Sequence, residues 1–305
     1  IMSLFERYDK NPIISPENFP YKVSGVFNPG AIKFGAHTIL LPRVEDLRGF
    51  SHFCVAKSKD GIDNWSIERN PALECNSKYN EEKWGIEDPR IVYMKDEEKY
   101  LITYVSFSQG GPVVSLMSTK DFHNFNRHGA ILPPEDKDAS LFPEKFDGLY
   151  ALIHRPIVRG QAHIWISFSP DLRYWGDSRV LIPTRPGWWD SHHVGLGTQP
   201  IKTKEGWLIV YHGARITASG ALYRVGLVLL DLHEPWKVLR RSKEWVLGPE
   251  KTYEMVGVSD AVVFPTGAVY EENNDKLLLY YGAADYSVCL AEGNMSEILE
   301  FLMRE

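Results

Sequence analysis

The sequence contains no apolar run approaching the roughly 20 residues needed to cross a bilayer, which excludes a helical membrane protein. Cysteines are few, odd in number and far apart: Cys54, Cys75 and Cys289 build neither a disulfide framework nor a C-x-x-C metal knuckle, and read as buried thiols. Positive charge is not in excess. The formal net charge of -6 argues against a nucleic-acid surface, yet leaves room for a local cationic pocket suited to a small anion. Ile1–Arg7 shows no basic segment followed by an apolar leader core, and Ile1 ahead of Met2 reads as a cloning remnant, so a cytoplasmic protein is expected. Linker-like and low-complexity stretches are also missing, the Pro-rich run 131–136 being short enough for a loop, and the chain is expected to form one domain over 1–305.

What the sequence does have is a repeat. Four segments end a β-rich run in Ser or Leu, turn on an Asp, and open the next strand with an aromatic: Ser58–Trp65, Ser118–Phe125, Ser169–Trp175 and Leu230–Trp236. The turn aspartates Asp60, Asp121, Asp171 and Asp231 recur at intervals of about 60, 50 and 60 residues, the length of a four-stranded blade with a loop insertion. Short β-branched or aromatic runs at 38–41, 99–105, 207–211 and 276–281 supply strands, and no helix-length crossover separates them. Four turns and a closing unit predict an all-β chain, a five-bladed β-propeller with one C-terminal helix over 295–302. Asn294 or Ser296 is placed to cap that helix, and its apolar stripe is expected on the rim or on a partner subunit.

A propeller converges its blades on a central funnel, so functional residues are sought once per unit. Phe27-Asn28-Pro29-Gly30 and Arg43 supply an amide and a guanidinium that can bind sugar hydroxyls. In Gly85-Ile86-Glu87-Asp88-Pro89-Arg90, Pro89 is expected to hold Asp88 extended with Arg90 beside it, and Glu87 to face the other way. Lys137, Arg155, His193, His212 and Tyr223 form a donor set from two adjacent units, of the kind a phosphate dianion needs. Tyr280-Tyr281-Gly282-Ala283-Ala284-Asp285 ends a strand with aromatics and an acid. Taken singly, each of these is as readily a salt-bridged turn or a solvated charge. A zinc site on His192, His193 and His212 is disfavoured because adjacent strand residues point apart and no His-x-x-x-His or Cys partner exists.

In order and spacing these segments, with Arg7-Tyr8, Asn11-Pro12-Ile13, Leu141-Phe142-Pro143-Glu144, His154-Arg155-Pro156 and Tyr211-His212-Gly213, resemble glycoside hydrolase family 130, the propeller mannoside phosphorylases and related mannosidases. The resemblance implies inverting phosphorolysis: inorganic phosphate attacks the anomeric carbon of a terminal β-mannosyl unit, giving α-mannose 1-phosphate and a shortened sugar. It implies Asp88 as the general acid, acting through the mannose 3-hydroxyl, with Asn28, Arg43 and Asp285 on the sugar and Glu87 beside them. Arg155, His212 and Tyr223 match phosphate-contacting positions. Lys137 stands where many members have arginine, and His193 where many have lysine. No cofactor or metal is expected; the partners are an oligosaccharide and phosphate, and self-association is possible.

Phosphate is already a nucleophile, so one acid and a basic pocket suffice, whereas an inverting hydrolase needs a second carboxylate to activate water. Glu87, Asp46 and Glu254 are the candidates for such a base, and an inverting β-mannosidase is the alternative function. A non-catalytic sugar-binding propeller is a further one. Fructan- and arabinan-cleaving propellers fit less well because they usually carry Asp where this chain has Asn28. Outer sugar contacts are expected from Trp188, Trp189 and the loop 78–81.

Overall fold

A computed structural model describes residues 4–76, 78–158, 160–218 and 220–305; Ile1, read above as a remnant, lies outside the described residues. The chain is all-β, as the repeat predicts, and its strands run as successive antiparallel meanders. The first is Gly25–Phe34, His37–Glu45, Ala56–Ser58 and Ser66–Ile67. The second is Gly85–Met94, Lys99–Ser108, Gly111–Thr119 and Phe125–Ala130. The third is Asp136–Phe146, Leu149–Val158, Ile164–Ser169 and Gly176–Ile182. His193–Leu196, Trp207–Thr217, Gly220–Leu230 and Val238–Arg241 form the fourth. Val263–Glu271, Lys276–Ala283 and Ser287–Asn294 form the last, and Glu6–Arg7 adds the edge strand from the other end of the chain. Single parallel contacts, Ser51 with Gly85 and Ala162 with His193, join the first meander to the second and the third to the fourth.

The four Asp turns share one hydrogen-bond pattern. Asp60, Asp121, Asp171 and Asp231 each accept from the backbone N–H groups two and three residues ahead, which closes the turn and starts the outer strand.

The core lies between consecutive sheets. Ile39 and Leu41 pack with Ile91 and Ile102, Val92 and Leu101 with Leu141 and Leu152, Ile153 and Ile164 with Leu196 and Trp207, Leu208 and Leu227 with Leu277 and Leu279, and Leu278 and Leu290 with Val26 and Leu40. The last of these groups brings the final sheet back onto the first. Each such fully buried aliphatic side chain is worth about 1.5–3 kcal/mol of transfer free energy.

The helix forms over Met295–Met303, but it buries Met295, Ile298, Leu299 and Leu302 in the cluster between the fourth and last sheets, with Phe5. That apolar stripe is therefore spent within the chain. Neither Asn294 nor Ser296 caps it through a side chain; the Asp275 carboxylate accepts from Ser296 N–H at 3.1 Å instead. Cys54 and Cys289 are buried, whereas Cys75 is only partly so.

Candidate active site

The strands Gly25–Phe34, Gly85–Met94, Asp136–Phe146 and Val263–Glu271 pack against one another at the centre, and each carries a register break. In the first three the skipped residues are Asn28-Pro29, Asp88-Pro89 and Asp138-Ala139. Asn28, Asp88 and Asp138 all adopt left-handed backbone, with φ of 46°, 50° and 50°. Asn and Asp tolerate this conformation better than other side chains. A bulge turns the extra residue out of the strand's alternation. Both points correct the sequence reading: Asp88 is left-handed rather than extended, and Glu87 and Asp88 come to the same guanidinium instead of opposite faces.

Arg43 reaches Glu87 Oε1 through Nη2 at 3.0 Å and Asp88 Oδ1 through Nη1 at 3.4 Å. Its Nε donates to Ser51 Oγ at 2.8 Å, and its guanidinium lies 4.7 Å from the Phe27 ring centre. Asn28 Nδ2 donates to the same Asp88 Oδ1 at 2.9 Å. Asp88 Oδ2 thus has no protein donor among the described residues and is the carboxylate oxygen left open. Asn28 Oδ1 is buried without a partner and can accept from a ligand hydroxyl.

The last meander supplies the other wall. A Cβ on Gly282 would stand 2.1 Å from Asn28 Oδ1, so the close approach of Asn28 to this strand requires glycine. Burial, reinforced by Asp88, raises the Asp285 carboxyl above its ordinary range. Burial likewise raises Glu87, with Asp88 adding to it and Arg43 offsetting it in part. Crowding around one arginine thus favours the protonated forms of Glu87 and Asp285.

Arg90 does not sit beside the Asp88 carboxylate as expected. Fully buried, it donates to the carbonyls of Gly197 at 2.6 Å, Leu196 at 2.7 Å and Asp88 at 3.1 Å, tying the second meander to the fourth. Its nearest carboxylate contact is Asp138, at 3.9 Å.

Asp138 is the residue that sequence reasoning missed. It is fully buried at the centre of the donor set, with Oδ2 2.8 Å from Arg155 Nε and 3.5 Å from His212 Nε2. Burial alone would raise its pKa, but Arg155, with Lys137 and Arg90 behind it and the His212 ring beside it, outweighs that and holds the carboxyl well below the usual range. A signal for it existed in the sequence: Asn28, Asp88 and Asp138 follow one another at about 60 and 50 residues, the same period as the turn aspartates.

The rest of the donor set does converge. Lys137 pairs in register with Arg155, and Gly195 with His212. The His193 ring lies 5.4 Å from Tyr223 and 6.3 Å from His212, which is 5.9 Å from Tyr223 and packs at 4.4 Å on Phe264. Burial, with Arg155 second, pushes His193 down to about 4, and burial takes His212 well below its ordinary value, so both rings are neutral near pH 7. Lys137 has no carboxylate within ion-pair distance among the described residues, and acts on both Glu87 and Asp138.

Other candidates are placed elsewhere. Glu254 is buried against Arg7 (2.7 Å) and Tyr281 Oη (2.8 Å) and accepts the backbone N–H groups of Glu250 and Lys251, a structural anchor for the edge strand. Asp46 is held by Arg48 at 2.6 Å and closes its own loop. Trp189 is buried and stacked on Tyr211, leaving only Trp188 exposed of that pair. Tyr79 in the loop 78–81 lies under Arg127. His192 and His193 do not point apart: their Nδ1 atoms are 2.8 Å from each other, because His192 lies outside the strand that begins at His193.

The glycoside hydrolase 130 family model, described as beta-1,4-mannooligosaccharide phosphorylase, matches residues 4–304. The beta-1,2-mannobiose phosphorylase of Listeria innocua is 35% identical, over 97% of this chain and 98% of that protein. Its solved structure with beta-1,2-mannobiose superposes with a TM-score of 0.90 over 99% of both chains. The 1,2-beta-oligomannan phosphorylase of Thermoanaerobacter sp. is 36% identical, over 97% of this chain and 99% of its own. A structure from work on glycoside hydrolases of the same family that target beta-1,2 mannosidic linkages in Candida mannan is 27% identical, with a TM-score of 0.84 over 97% of this chain and 95% of that one.

Proposed function

Because this chain belongs to glycoside hydrolase family 130, we propose that it cleaves β-mannosides by inverting phosphorolysis, releasing α-mannose 1-phosphate and a shortened sugar. The observation that carries this reading is the gathering of Lys137, Arg155, His193, His212 and Tyr223 around Asp138, with Arg90 bridging Asp138 and the backbone carbonyl of Asp88.

In this reading the terminal mannose lies among Asn28, Arg43, Asp88 and Asp285, with Asn28 Oδ1 accepting from a hydroxyl. Lys137 and the terminal nitrogens of Arg155 hold phosphate on the opposite side of the anomeric carbon. Charge-assisted contacts both bind and aim the nucleophile, and aim is what raises the rate of a displacement between two bound reactants. Asp88 Oδ2 supplies the proton for the leaving oxygen by way of the mannose 3-hydroxyl. No cofactor or metal enters this scheme.

The hydrolase alternative needs a base for water. Glu254 and Asp46 are occupied structurally, Glu87 is bound to Arg43, and Asp138 is a weak base among its cations. These assignments favour phosphate over water as the nucleophile.

The successive four-stranded meanders, with a core between each neighbouring pair and Glu6–Arg7 completing the last, support reading the fold as a single five-bladed propeller domain. Among the described residues no helix is long and apolar enough to cross a membrane. Free, buried Cys54 and Cys289 fit a reducing compartment, and we place the protein in the cytoplasm.

The test is product analysis with a panel of β-1,2- and β-1,4-linked manno-oligosaccharides, with and without inorganic phosphate. Phosphate-dependent mannose 1-phosphate is the expected outcome. Free mannose released at a rate indifferent to phosphate would replace this reading with the hydrolase.

A further inference from the structure

Asp138 is an anomaly in a pocket read as an anion site. It places an ionised carboxylate among the cations, and its two oxygens, although Oδ2 is in ion contact with Arg155 and Oδ1 lies 3.9 Å from Arg90, accept no hydrogen bond from any described residue. His212 Nδ1 is also buried without a partner. A neutral His212 that turns its Nε2 proton toward Asp138 Oδ2 leaves Nδ1 as an acceptor. Asp138 Oδ1 and His212 Nδ1 therefore lack donors in one small region, while Oδ2 has only the 3.5 Å approach of His212 and the ion contact of Arg155, and buried acceptors are costly unless a ligand or water supplies hydrogens.

The charges around Asp138 come from every packed element. Lys137 is on its own strand and Arg155 on the next; Arg90 reaches in from the second meander; His193, His212 and Tyr223 face it from the fourth. With both histidines and Tyr223 neutral, Lys137 and Arg155 are the cations lining the pocket, and Asp138 cancels one of them. Arg90 is saturated by three backbone carbonyls behind it. A phosphate dianion entering here meets an opposing carboxylate beside the two lining cations.

Resting on the phosphorolysis reading above, we propose that Asp138 makes the phosphate subsite selective for the protonated monoanion, H2PO4⁻. In this arrangement the phosphate hydroxyls donate to Asp138 and His212 Nδ1, while Lys137 and the Arg155 terminal nitrogens take its anionic oxygens. Gly195 is what allows the pairing, since a Cβ there would stand 2.4 Å from Asp138 Oδ2 and 2.5 Å from the His212 ring.

The reaction balances for this form. Mannosyl–O–R and H2PO4⁻ give mannosyl–O–PO3H⁻ and R–OH. The bond from C1 to the glycosidic oxygen breaks, and a bond from C1 to a phosphate oxygen forms. Asp88 gives its proton to the leaving oxygen and regains one from the phosphate.

The test is calorimetric titration of the folded protein with inorganic phosphate, on the alkaline side of phosphate's second ionisation, in two buffers of different ionisation enthalpy. Selection of the monoanion requires uptake of close to one proton per phosphate bound, and Asp138→Asn should abolish that uptake. In parallel, the wild-type KM for total phosphate should rise about tenfold per pH unit there, while the KM for mannoside stays level. Sulfate, which carries no hydroxyl, should compete at least about tenfold better against Asp138→Asn than against wild type. Phosphate binding by the wild type without proton uptake overturns the monoanion proposal and leaves phosphorolysis standing. Mannose 1-phosphate formation with a KM that is constant when expressed as HPO4²⁻ overturns it as well. If Asp138→Asn does not fold, the wild-type proton count decides alone, and a wild type that binds no phosphate overturns both readings together.

Discussion

Asn28 and Asp88 occupy equivalent bulges on adjacent central strands, at φ of 46° and 50°, and are joined by a 2.9 Å hydrogen bond from Asn28 Nδ2 to Asp88 Oδ1. Two neighbouring units thus present the same kind of side chain in the same left-handed conformation. In the mechanism proposed above the second is the proton donor, and the hydrogen bond from the first leaves its Oδ2 open.

Asp88→Asn is expected to lower turnover by about 10²–10⁴-fold, the usual contribution of a general acid, while leaving folding intact. Product release and a thermal melt measure the two effects. A folded variant with wild-type rate would move the acid to another residue.

Gly282→Ala should act on the same step without touching Asp88. The added methyl pushes on Asn28, so kcat is expected to fall several-fold with KM for phosphate unchanged. Equal loss in both constants would mean that the last sheet, rather than Asn28 alone, has shifted.

Removing Arg155 has two consequences. Arg155→Ala should raise the KM for phosphate and also destabilise the fold by up to about 3–5 kcal/mol, because buried Asp138 loses its nearest cation. Asp138→Asn in that background should restore much of the stability and none of the phosphate affinity. Urea denaturation and initial rates separate these outcomes.

Glu254→Gln tests the rival base. With Glu254 buried against Arg7, the variant should lose about 3 kcal/mol of stability and keep its turnover per folded molecule. Burial alone would raise the Glu254 carboxyl, but Arg7, two backbone N–H groups and Tyr281 hold it below its ordinary range. Its contribution to stability is therefore present above the unfolded carboxyl pKa and is lost as pH falls through the lower folded value. The variant should lose less stability than wild type over that acid range. A large drop in turnover with little change in stability would return Glu254 to the candidate bases.

His193 gives a pH dependence of a different kind. Burial lowers its folded pKa to about 4, so the unfolded chain binds its proton first as pH falls from the ordinary histidine value of about 6.5. Stability should decline between those two values, and His193→Gln should make the decline shallower, as read by chemical denaturation across pH. An unchanged slope would assign the acid sensitivity to His212.

The sequence by itself determined the repeat, the all-β class and the family. Asp turns, strand composition and motif order are local features whose physics does not depend on what packs across the molecule. It also named Asp88 and most of the two donor sets, because those residues stand in short motifs. Tertiary structure alone decided their geometry. The bulge at Asp88 overrode strand alternation and brought Glu87 to Arg43, and Arg90 proved to be a buried clamp on backbone carbonyls. Glu254 became an anchor for the edge strand because Arg7 is 247 residues away in sequence and adjacent in space. Asp138 gained its place only where Arg155 and His212 meet, since a carboxylate's charge and hydrogen-bonding state are set by neighbours from other sheets.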